Sequence, residues 1–193
     1  MDRKMENKGR QEAFDVTRDL LVRYDRPGPR YTSYPTVPAW SESFSEADYR
    51  ACLGRAASKS GEPLSLYVHI PFCEKRCAFC GCNSIATEKR EVADKYLDHV
   101  DIELRMLSEA LAATRPLKQL HWGGGTPTYL STGQLSRLFT AVSERFEISA
   151  DAELALEVDP RVTTPDQIAL LRQLGFNRIS MGVKDLDEQV QCA

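Results

Sequence analysis

A regular alternation of strand and helix patterns from residue 64 onward is the feature that most constrains the fold of this chain. Leu64–Ile70 is an apolar run typical of a buried strand, and further strands are predicted at Gln119–Trp122, Glu153–Val158 and Arg178–Val183. Because a helical pattern separates successive strands, we expect a parallel sheet with helices as crossovers. The fold class is therefore α/β, with about three and a half βα units. Both a β/α barrel and a doubly wound sheet fit this order.

Three helices are predicted between these strands. The first spans about Arg90–Ala112, with apolar residues along one stripe. Ser131 and Gln134 form a capping box that begins the second, while Thr164 caps the third and Gly175 closes it. The apolar positions expected to face the sheet are Val92, Tyr96, Val100, Leu104, Leu107 and Leu111 in the first helix, and Leu135, Leu138, Phe139, Val142 and Phe146 in the second.

Residues 1–63 differ in composition from residues 64–193, and we predict that they form a separate segment. A short helix is expected over Gln11–Arg23 and another over Glu46–Ser58. Between them, Arg26–Trp40 holds four prolines and three aromatic residues, a composition typical of an extended arm on a domain surface. The predicted organisation is an N-terminal helix and extended Pro/aromatic arm, followed by the α/β domain.

The overall composition excludes several functional classes. The chain has 193 residues, of which 42% are apolar, which suffices to bury a globular core. A net charge of −3 provides no basic field for nucleic acid, and no apolar stretch reaches the roughly 18 residues of a membrane span. Met1–Gly9 is polar and charged, without the apolar segment of a secretory signal. We therefore expect a cytoplasmic protein with no nucleic-acid partner and no membrane span.

Four of the six cysteines lie within ten residues, directly after the first predicted strand. Cys73, Cys77 and Cys80 have the spacing Cys-x3-Cys-x2-Cys, and such clustering is typical of metal sites rather than of disulfide frameworks. Cysteine thiolates hold iron–sulfur clusters, and a [4Fe–4S] cluster normally takes four of them. Three ligands would leave one iron open to bind another molecule. Cys82 would then be a close neighbour of the cluster and not a ligand.

Two other interpretations apply to the same cysteines. Their i, i+4, i+7 spacing also fits one face of a helix, but Pro71 before them and Gly81 after them oppose a helix. The second interpretation is a zinc site that includes Cys82. However, the single residue between Cys80 and Cys82 is fewer than the usual number between two zinc ligands of a pair. The iron–sulfur interpretation is favoured over both.

Other chemistry-bearing residues follow the predicted strands, where the carboxyl ends of a parallel sheet meet at one edge. The glycine segment, Gly123–Pro127, either exposes backbone groups to a ligand or serves only as a tight exit from a strand. Glu157 and Asp159 share one face of the third strand and could bind ribose hydroxyls or an ammonium group, while Asp159 could equally cap the next segment. His69 is either a hydrogen-bonded core residue or a group near the cysteines.

Together these motifs resemble the radical S-adenosylmethionine (SAM) superfamily, whose mark is Cys-x3-Cys-x2-Cys after the first strand of a partial β/α barrel. Within it, the chain resembles the oxygen-independent coproporphyrinogen III oxidase family from about residue 20 to residue 190. The segments that carry this resemblance are Gly28–Pro35, Tyr67–Cys73, Cys80–Asn83, His121–Thr128 and Glu157–Pro160. The arm motif Arg-Tyr-Thr-Ser-Tyr-Pro and the motif Cys-Gly-Cys-Asn are its most specific parts.

The resemblance implies a partial parallel β/α (TIM-like) barrel with a [4Fe–4S] cluster and two SAM molecules. The metal ligands that it implies are Cys73, Cys77 and Cys80. The residues implied around the SAM molecule on the cluster are Tyr67, Gly124 and Glu157, and those around the second are Phe79, Gly125, Thr126 and Lys184. Lys184 stands where the family motif has glutamine, so it keeps a donor, loses an acceptor and adds a charge.

The activity that the resemblance implies is oxidative decarboxylation of coproporphyrinogen III to protoporphyrinogen IX in haem biosynthesis, by a 5′-deoxyadenosyl radical. The alternative is a related haem chaperone that binds haem without oxidase activity, and the aromatic arm argues against it. The electron donor and acceptor are not indicated. Because the family continues for a further half-barrel and a C-terminal domain after Gln191, we expect the 193-residue chain to be an incomplete copy with little or no turnover.

Overall fold

The computed structural model describes residues 17–25, 36–59, 61–111 and 115–191 of the chain. The described residues divide into two compact units at the Phe44–Ser45 junction. The start of the predicted helix Gln11–Arg23, the arm motif Gly28–Pro35 and Cys192 lie outside them. Within these four ranges, no helix combines the length and the apolar character needed to cross a bilayer.

The first unit contains one α-helix and one 3-10 turn in its described part. Helix α1 spans Arg18–Tyr24, and the Thr17 hydroxyl caps it by accepting the N–H of Leu20 at 3.2 Å. The predicted helix Gln11–Arg23 is thus confirmed over its described C-terminal part. A 3-10 turn follows at Val37–Ala39, inside the stretch where the prolines predict an extended arm.

The second unit is built around a parallel sheet whose strand order follows the chain. Its strands are β1 Leu64–Ile70, β2 Phe72–Cys73, β3 Ile85–Ala86, β4 Pro116–Gly124, β5 Glu147–Glu157 and β6 Arg178–Ser180. The main sheet has the order β1-β4-β5-β6, and each neighbouring pair is parallel. Strands β2 and β3 form a separate parallel pair. The predicted α/β class with a parallel sheet is confirmed.

Strands β4 and β5 are both longer than the sequence predicts. β4 extends beyond Gln119–Trp122 because β1 pairs with it from Leu117 to Gly124. β5 begins at Glu147 rather than Glu153 because its first residues pair with the start of β4. The pairing partners are remote in sequence, so local periodicity does not show either extension.

Strand β6 is shorter than predicted, and the pair β2–β3 was not predicted. β6 ends at Ser180 instead of Val183, because its partner β5 ends opposite it at Glu157 and Val158 adds a final hydrogen bond to the Ser180 carbonyl. Two-residue strands such as β2 and β3 carry too few side chains to show a period of two.

Helices alternate with the strands, and their boundary residues match the sequence signals. In the described residues of this unit they are α2 Glu46–Ala57, α3 Val92–Ala110, α4 Thr132–Ser143, α5 Pro165–Gln173 and α6 Glu188–Gln191. The capping boxes predicted at Ser131 for α4 and at Thr164 for α5 are both confirmed. Gly175, with φ of +96°, closes α5, since the N–H of Phe176 reaches back to the Leu171 carbonyl at 2.9 Å.

Helix α2 belongs to the sheet unit, although the change in composition predicts a boundary after residue 63. The buried Arg115 guanidinium donates to the carbonyls of Ala56, at 2.7 Å, and Glu62, at 2.8 Å. These bonds fasten the end of α2 and the linker after it to the start of β4. The compact unit therefore begins at Ser45 rather than at Leu64.

All the apolar positions predicted to face the sheet are buried or half-buried. In α3, Ala93 and Leu97 are almost completely buried as well, so the buried stripe is wider than the predicted one. Phe146 is buried but lies beyond the end of α4, where its N–H bonds to the Val142 carbonyl at 2.9 Å. The core formed by these side chains includes Trp122 of β4, which fixes the strand that leads into the glycine segment.

The buried side chain of Gln167 links α5 to the segment after β4. Its amide donates to the carbonyls of Thr128 and Leu130, both at 2.7 Å, and its oxygen accepts the N–H of Thr164 at 2.8 Å. Replacing Gln167 with leucine would leave these buried groups unpaired, and we expect a loss of about 2 kcal/mol in the free energy of unfolding. Urea denaturation measures this loss.

The matched control is Gln173→Leu, on the last, exposed turn of the same helix. Glutamine and leucine have similar helix propensities, so this change should move the free energy of unfolding by at most about 0.5 kcal/mol. Equal effects of the two substitutions would contradict the role given to Gln167.

Candidate functional site

The cysteine loop, residues 73–84, is closed at its base by the pairing of β2 with β3. The N–H of Ile85 donates to the Pro71 carbonyl at 2.7 Å, and the N–H of Thr87 donates to the Cys73 carbonyl at 2.9 Å. Within the loop, the N–H of Cys80 donates to the Cys77 carbonyl at 3.0 Å. The loop therefore leaves the carboxyl end of β1 as a constrained turn, and the helix-face interpretation of the three cysteines is wrong.

Each of the three cysteines with the predicted metal-binding spacing is half-buried and has one side-chain neighbour that carries a donor. Cys73 Sγ lies 3.4 Å from the Thr126 hydroxyl and Cys80 Sγ lies 3.7 Å from the Ser84 hydroxyl. Cys77 Sγ accepts from the Arg161 guanidinium at 3.6 Å. All three sulfurs therefore face polar donors rather than an apolar core.

The surroundings shift the ionisation of the loop thiols in opposite directions. Burial raises the pKa of the Cys73 thiol, and a hydrogen bond from Thr126 opposes that shift. A hydrogen bond from the backbone of Cys82 lowers the pKa of Cys80, and the Ser84 hydroxyl acts in the same direction. Burial raises the pKa of Cys82 itself, and the negative charge of Cys80 adds to this. Cys80 is therefore favoured as a thiolate over its neighbour Cys82.

The described residues contain no group of three or more His, Cys, Asp or Glu side chains placed to hold a single metal ion.

The glycine segment after β4 packs directly against the cysteine loop. The N–H of Gly125 donates to the Ile70 carbonyl and the N–H of Thr126 donates to the Phe72 carbonyl, both at 2.8 Å. A Cβ atom added to Gly125 would lie 2.9 Å from Cys73 Sγ and 2.7 Å from the Phe72 carbonyl oxygen. Glycine is therefore required at this position for the two segments to approach so closely.

Gly124 joins the glycine segment to β5. Its φ of +118° lies in the region that favours glycine, and an added Cβ would lie 2.7 Å from the His69 ring. Its N–H donates to Oε2 of Glu157 at 3.1 Å. Glu157 is thus fixed at the same edge of the sheet as the cysteine loop, as the sequence analysis predicts.

Aromatic and imidazole side chains form a wall beside Glu157. The Tyr67 hydroxyl is 3.1 Å from Nδ1 of His69, whose Nε2 lies 2.9 Å from the Asn83 carbonyl. The Tyr67 ring stacks on the ring of His121, with centroids 5.7 Å apart. Nε2 of His121 lies 3.7 Å from Oε1 of Glu157. His69 is half-buried and hydrogen-bonded, as the first of its two interpretations predicts, and its ring lies against Gly124.

Phe79 and Lys184 meet at another part of this edge. The ammonium nitrogen of Lys184 lies 5.1 Å from the centroid of the Phe79 ring, a cation–π contact. Phe79 is an exposed residue of the cysteine loop, and Lys184 follows β6. The structure therefore brings together two of the four residues implied for the second SAM molecule, while Gly125 and Thr126 lie against Cys73.

Asp159 and Arg161 form a tight turn after β5. The guanidinium of Arg161 donates to both carboxylate oxygens of Asp159, at 3.0 and 2.8 Å, and the N–H of Arg161 also donates to Oδ1. These hydrogen bonds lower the pKa of Asp159. Asp159 thus caps its own turn, as one of the two interpretations predicts, and holds Arg161 against Cys77.

Arg161 is the main residue of the site that sequence reasoning missed. It is separated from Cys77 by 84 positions, so no local pattern connects the two. The one signal in the sequence is an arginine two residues after a carboxylate at the end of a strand. Ser84 was missed as well, since a single serine beside a cysteine motif has no distinguishing pattern.

The fold and the site place this chain among proteins with a Cys-x3-Cys-x2-Cys loop after the first strand of a parallel sheet. The sequence model of the Radical SAM superfamily matches residues 67–191, from β1 to the last described residue. A solved structure of coproporphyrinogen III oxidase from Escherichia coli, described as a radical SAM enzyme, has a TM-score of 0.77 and 47% identity. That comparison covers 89% of this chain and 37% of the solved one.

Sequence relatives indicate which family within this superfamily the chain resembles. The oxygen-independent coproporphyrinogen III oxidase of Salmonella typhimurium is 49% identical over 181 residues, which are 94% of this chain and 39% of that protein. The Escherichia coli K12 protein of the same name is 50% identical over 172 residues, 89% of this chain and 37% of the relative. A Mannheimia haemolytica relative, also of that name, is 45% identical over 142 residues, 73% of this chain and 94% of the relative.

The chain therefore belongs to the radical SAM superfamily and, within it, to the family of oxygen-independent coproporphyrinogen III oxidases. It spans about two fifths of the length of the Salmonella and Escherichia relatives.

Proposed function

We propose that this chain provides the cluster-binding and SAM-binding part of an oxygen-independent coproporphyrinogen III oxidase. The observation that carries the proposal is the contact between the glycine segment and the cysteine loop. At Gly125 a Cβ would lie 2.9 Å from Cys73 Sγ, and Glu157 accepts the N–H of the neighbouring Gly124. Ligand thiols, the glycine segment and a carboxylate thus lie at one edge of the sheet.

The residues present fit a [4Fe–4S] cluster held by Cys73, Cys77 and Cys80. Three thiols come from one loop that is closed by β2–β3, and each has a polar donor that can stabilise a thiolate. The missing side chain at Gly125 lets the glycine segment lie close beside Cys73 Sγ. When bound, the cluster and SAM together supply the one-electron chemistry that starts a radical reaction.

The residues Tyr67, Gly124 and Glu157 are proposed to bind SAM at the cluster. Oε2 of Glu157 accepts the Gly124 N–H, while Oε1 lies 3.7 Å from Nε2 of His121, whose ring stacks on that of Tyr67. A carboxylate in this position favours an ammonium group through a charge-assisted hydrogen bond. The second set, Phe79, Gly125, Thr126 and Lys184, is proposed to bind a second SAM molecule.

We also propose that the four main strands are part of a partial β/α barrel rather than of a doubly wound sheet. The order β1-β4-β5-β6 adds each new strand on the same side, whereas a doubly wound sheet reverses direction. With right-handed crossovers, such an order places all connecting helices on one face of the sheet. The contacts of α3 with α4 and of α4 with α5 support this arrangement.

The substrate is proposed to be coproporphyrinogen III, on the strength of the names that the relatives carry. The proposed reaction is oxidative decarboxylation to protoporphyrinogen IX, in the cytoplasm. A cytoplasmic location agrees with the clustered free thiols of the loop, which need a reducing compartment.

Anaerobic reconstitution tests the proposal. The protein is loaded with iron and sulfide, then incubated with SAM, dithionite and coproporphyrinogen III. We expect roughly four irons per chain and reductive cleavage of SAM to methionine and 5′-deoxyadenosine, with little or no protoporphyrinogen IX formed by the 193-residue chain. Failure to cleave SAM would contradict the class of chemistry. Measurable protoporphyrinogen IX formation by the 193-residue chain would overturn the expectation of little or no turnover, and tight haem binding without SAM cleavage would favour a haem chaperone.

Replacing Glu157 with glutamine should weaken SAM binding to the loaded protein about tenfold. Glutamine can still accept the Gly124 N–H, but it lacks the charge that favours an ammonium group, a difference of about 1.5 kcal/mol or more. Equilibrium binding of SAM measures the effect. The control is Glu153→Gln on the same strand, where the carboxylate pairs with Arg178 instead, and unchanged affinity is expected. Similar weakening in both variants would contradict a direct role for Glu157.

A further inference from the structure

A hydroxyl or guanidinium donor faces each of the three loop thiols, and each of these donors comes from a different segment. Cys80 also accepts hydrogen bonds from the backbone and the thiol of Cys82. Thr126 follows β4, Arg161 follows β5, and Ser84 lies at the end of the cysteine loop. The distances to the three sulfurs are 3.4, 3.6 and 3.7 Å in that order. One donor for each sulfur is more than the proposed function requires, because ligation itself needs only the cysteines.

The direction of these hydrogen bonds is fixed once the cysteines bind metal. A metal-bound cysteine is a thiolate, which can accept but not donate. The hydroxyls of Thr126 and Ser84 must then donate to sulfur, as the guanidinium of Arg161 already does. All three contacts therefore place positive partial or full charge against the ligand sulfurs.

Two of the donors are held in place by bonds of their own. Thr126 is buried, and its N–H bonds to the Phe72 carbonyl at 2.8 Å. Arg161 is exposed, but its guanidinium is bound to both oxygens of Asp159. A donor that is already anchored loses little conformational entropy when it bonds to sulfur.

A simpler interpretation is that these contacts only shape the apoprotein. Arg161 would then serve the turn with Asp159, and Thr126 would merely pack under the loop. That interpretation predicts an effect on stability but none on the electronic properties of a bound cluster. Hydrogen bonds to the sulfurs are among the factors that set the potential of iron–sulfur clusters, so the two interpretations are distinguishable.

We propose that Thr126, Arg161 and Ser84 are positioning residues that donate one hydrogen bond each to the thiolates of Cys73, Cys77 and Cys80, and that they raise the reduction potential of the bound cluster. This inference rests on the proposed function. Reduction adds one electron from an external low-potential one-electron reductant, with no proton transfer and no bond broken. The added negative charge strengthens all three hydrogen bonds, so these donors favour the reduced form.

The contributions should differ with distance and burial. The Thr126 contact is the shortest and the most buried, so solvent screens it least. Arg161 carries a full charge, although its side chain is 73% exposed. Ser84 has the longest contact, and we expect the smallest effect there.

The test is a potentiometric titration of the full chain, reconstituted anaerobically with iron and sulfide and without SAM, followed by EPR. Thr126→Val and Arg161→Gln should each shift the midpoint potential to more negative values. Thr126→Ser and Arg161→Lys, which keep a donor, should stay closer to the unsubstituted protein. Arg161→Gln lies at an exposed position and does not depend on core packing, so it remains informative if Thr126→Val folds poorly.

Lys75→Gln is the matched control, since it removes one exposed positive charge from the same loop. A smaller shift in this control than in Arg161→Gln supports a direct hydrogen bond. Equal shifts in the two variants, or unchanged potentials in Thr126→Val, Arg161→Gln and Ser84→Ala, would overturn the inference while leaving the proposed function intact. Failure of the unsubstituted protein to assemble a four-iron cluster would overturn both.

Discussion

Replacing Cys77 with alanine is expected to abolish cluster assembly, with iron falling from roughly four atoms per chain to nearly none. Cys77 lies in the loop closed by β2–β3, and its sulfur faces Arg161 at 3.6 Å. Only two ligand thiols would remain in the loop, which leaves two irons without protein ligands. Iron and sulfide analysis after anaerobic reconstitution, together with the visible absorbance of the cluster, measures the loss.

Two other cysteine substitutions separate ligation from the general effect of removing a thiol. Cys52→Ala removes a half-buried thiol on α2, outside the loop, and Cys82→Ala removes the exposed thiol next to the loop ligands. Both variants should retain roughly four irons per chain. Loss of iron in Cys82→Ala would show that Cys82 is a ligand, and retention in Cys77→Ala would refute the predicted ligand set.

The parts of the fold that depend on local chemistry could be predicted from the sequence. The helix starts at Ser131 and Thr164 are set by side chains three residues away, and the end of α5 is set by Gly175 in a conformation that other residues avoid. The apolar stripes identify the helix faces that pack on the sheet. Local signals therefore give the identity and order of the elements.

The parts that depend on pairing between remote segments could not be predicted. Strand β5 begins six residues earlier than expected, because its start is stabilised by β4, and β6 ends early where β5 stops pairing with it. The alternative roles of Asp159 were likewise undecidable from alternation, which gives the face of a strand but not the neighbours beyond its end. The structure shows its carboxylate bound to Arg161.

In the candidate site, too, some residues are identified by local sequence patterns and others are brought together only by the fold. The cysteine spacing and the glycine run identify the ligands and the edge of the sheet, because these residue types have few other uses in that order. The donors on the sulfurs are ordinary residues in unremarkable positions, and the fold alone brings Arg161 to Cys77 and Thr126 to Cys73. Sequence patterns thus identify the groups that bind a cofactor more readily than the groups proposed to change its reduction potential.

Replacing Gly125 with alanine should both destabilise the protein and impair cluster binding. The added Cβ would lie 2.7 Å from the Phe72 carbonyl oxygen and 2.9 Å from both the Pro71 carbonyl oxygen and Cys73 Sγ. Two of these atoms belong to the backbone of Pro71 and of Phe72 at the start of β2, which cannot move without disturbing the hydrogen bonds of Gly125 and Thr126. Overpacking of this kind should cost about 3 kcal/mol in the free energy of unfolding.

The third atom that the added Cβ would displace is Sγ of Cys73, a proposed cluster ligand. The Gly125→Ala variant should therefore also hold less iron than the unsubstituted protein under conditions where it is still folded. Urea denaturation of the apoprotein and iron analysis after reconstitution measure the two effects separately. Gly133→Ala in α4 is the control, because an added Cβ there meets nothing within 4 Å and should stabilise the helix by about 0.5–1 kcal/mol. A folded Gly125→Ala protein with a full cluster would show that the glycine segment and the cysteine loop are not in the contact described.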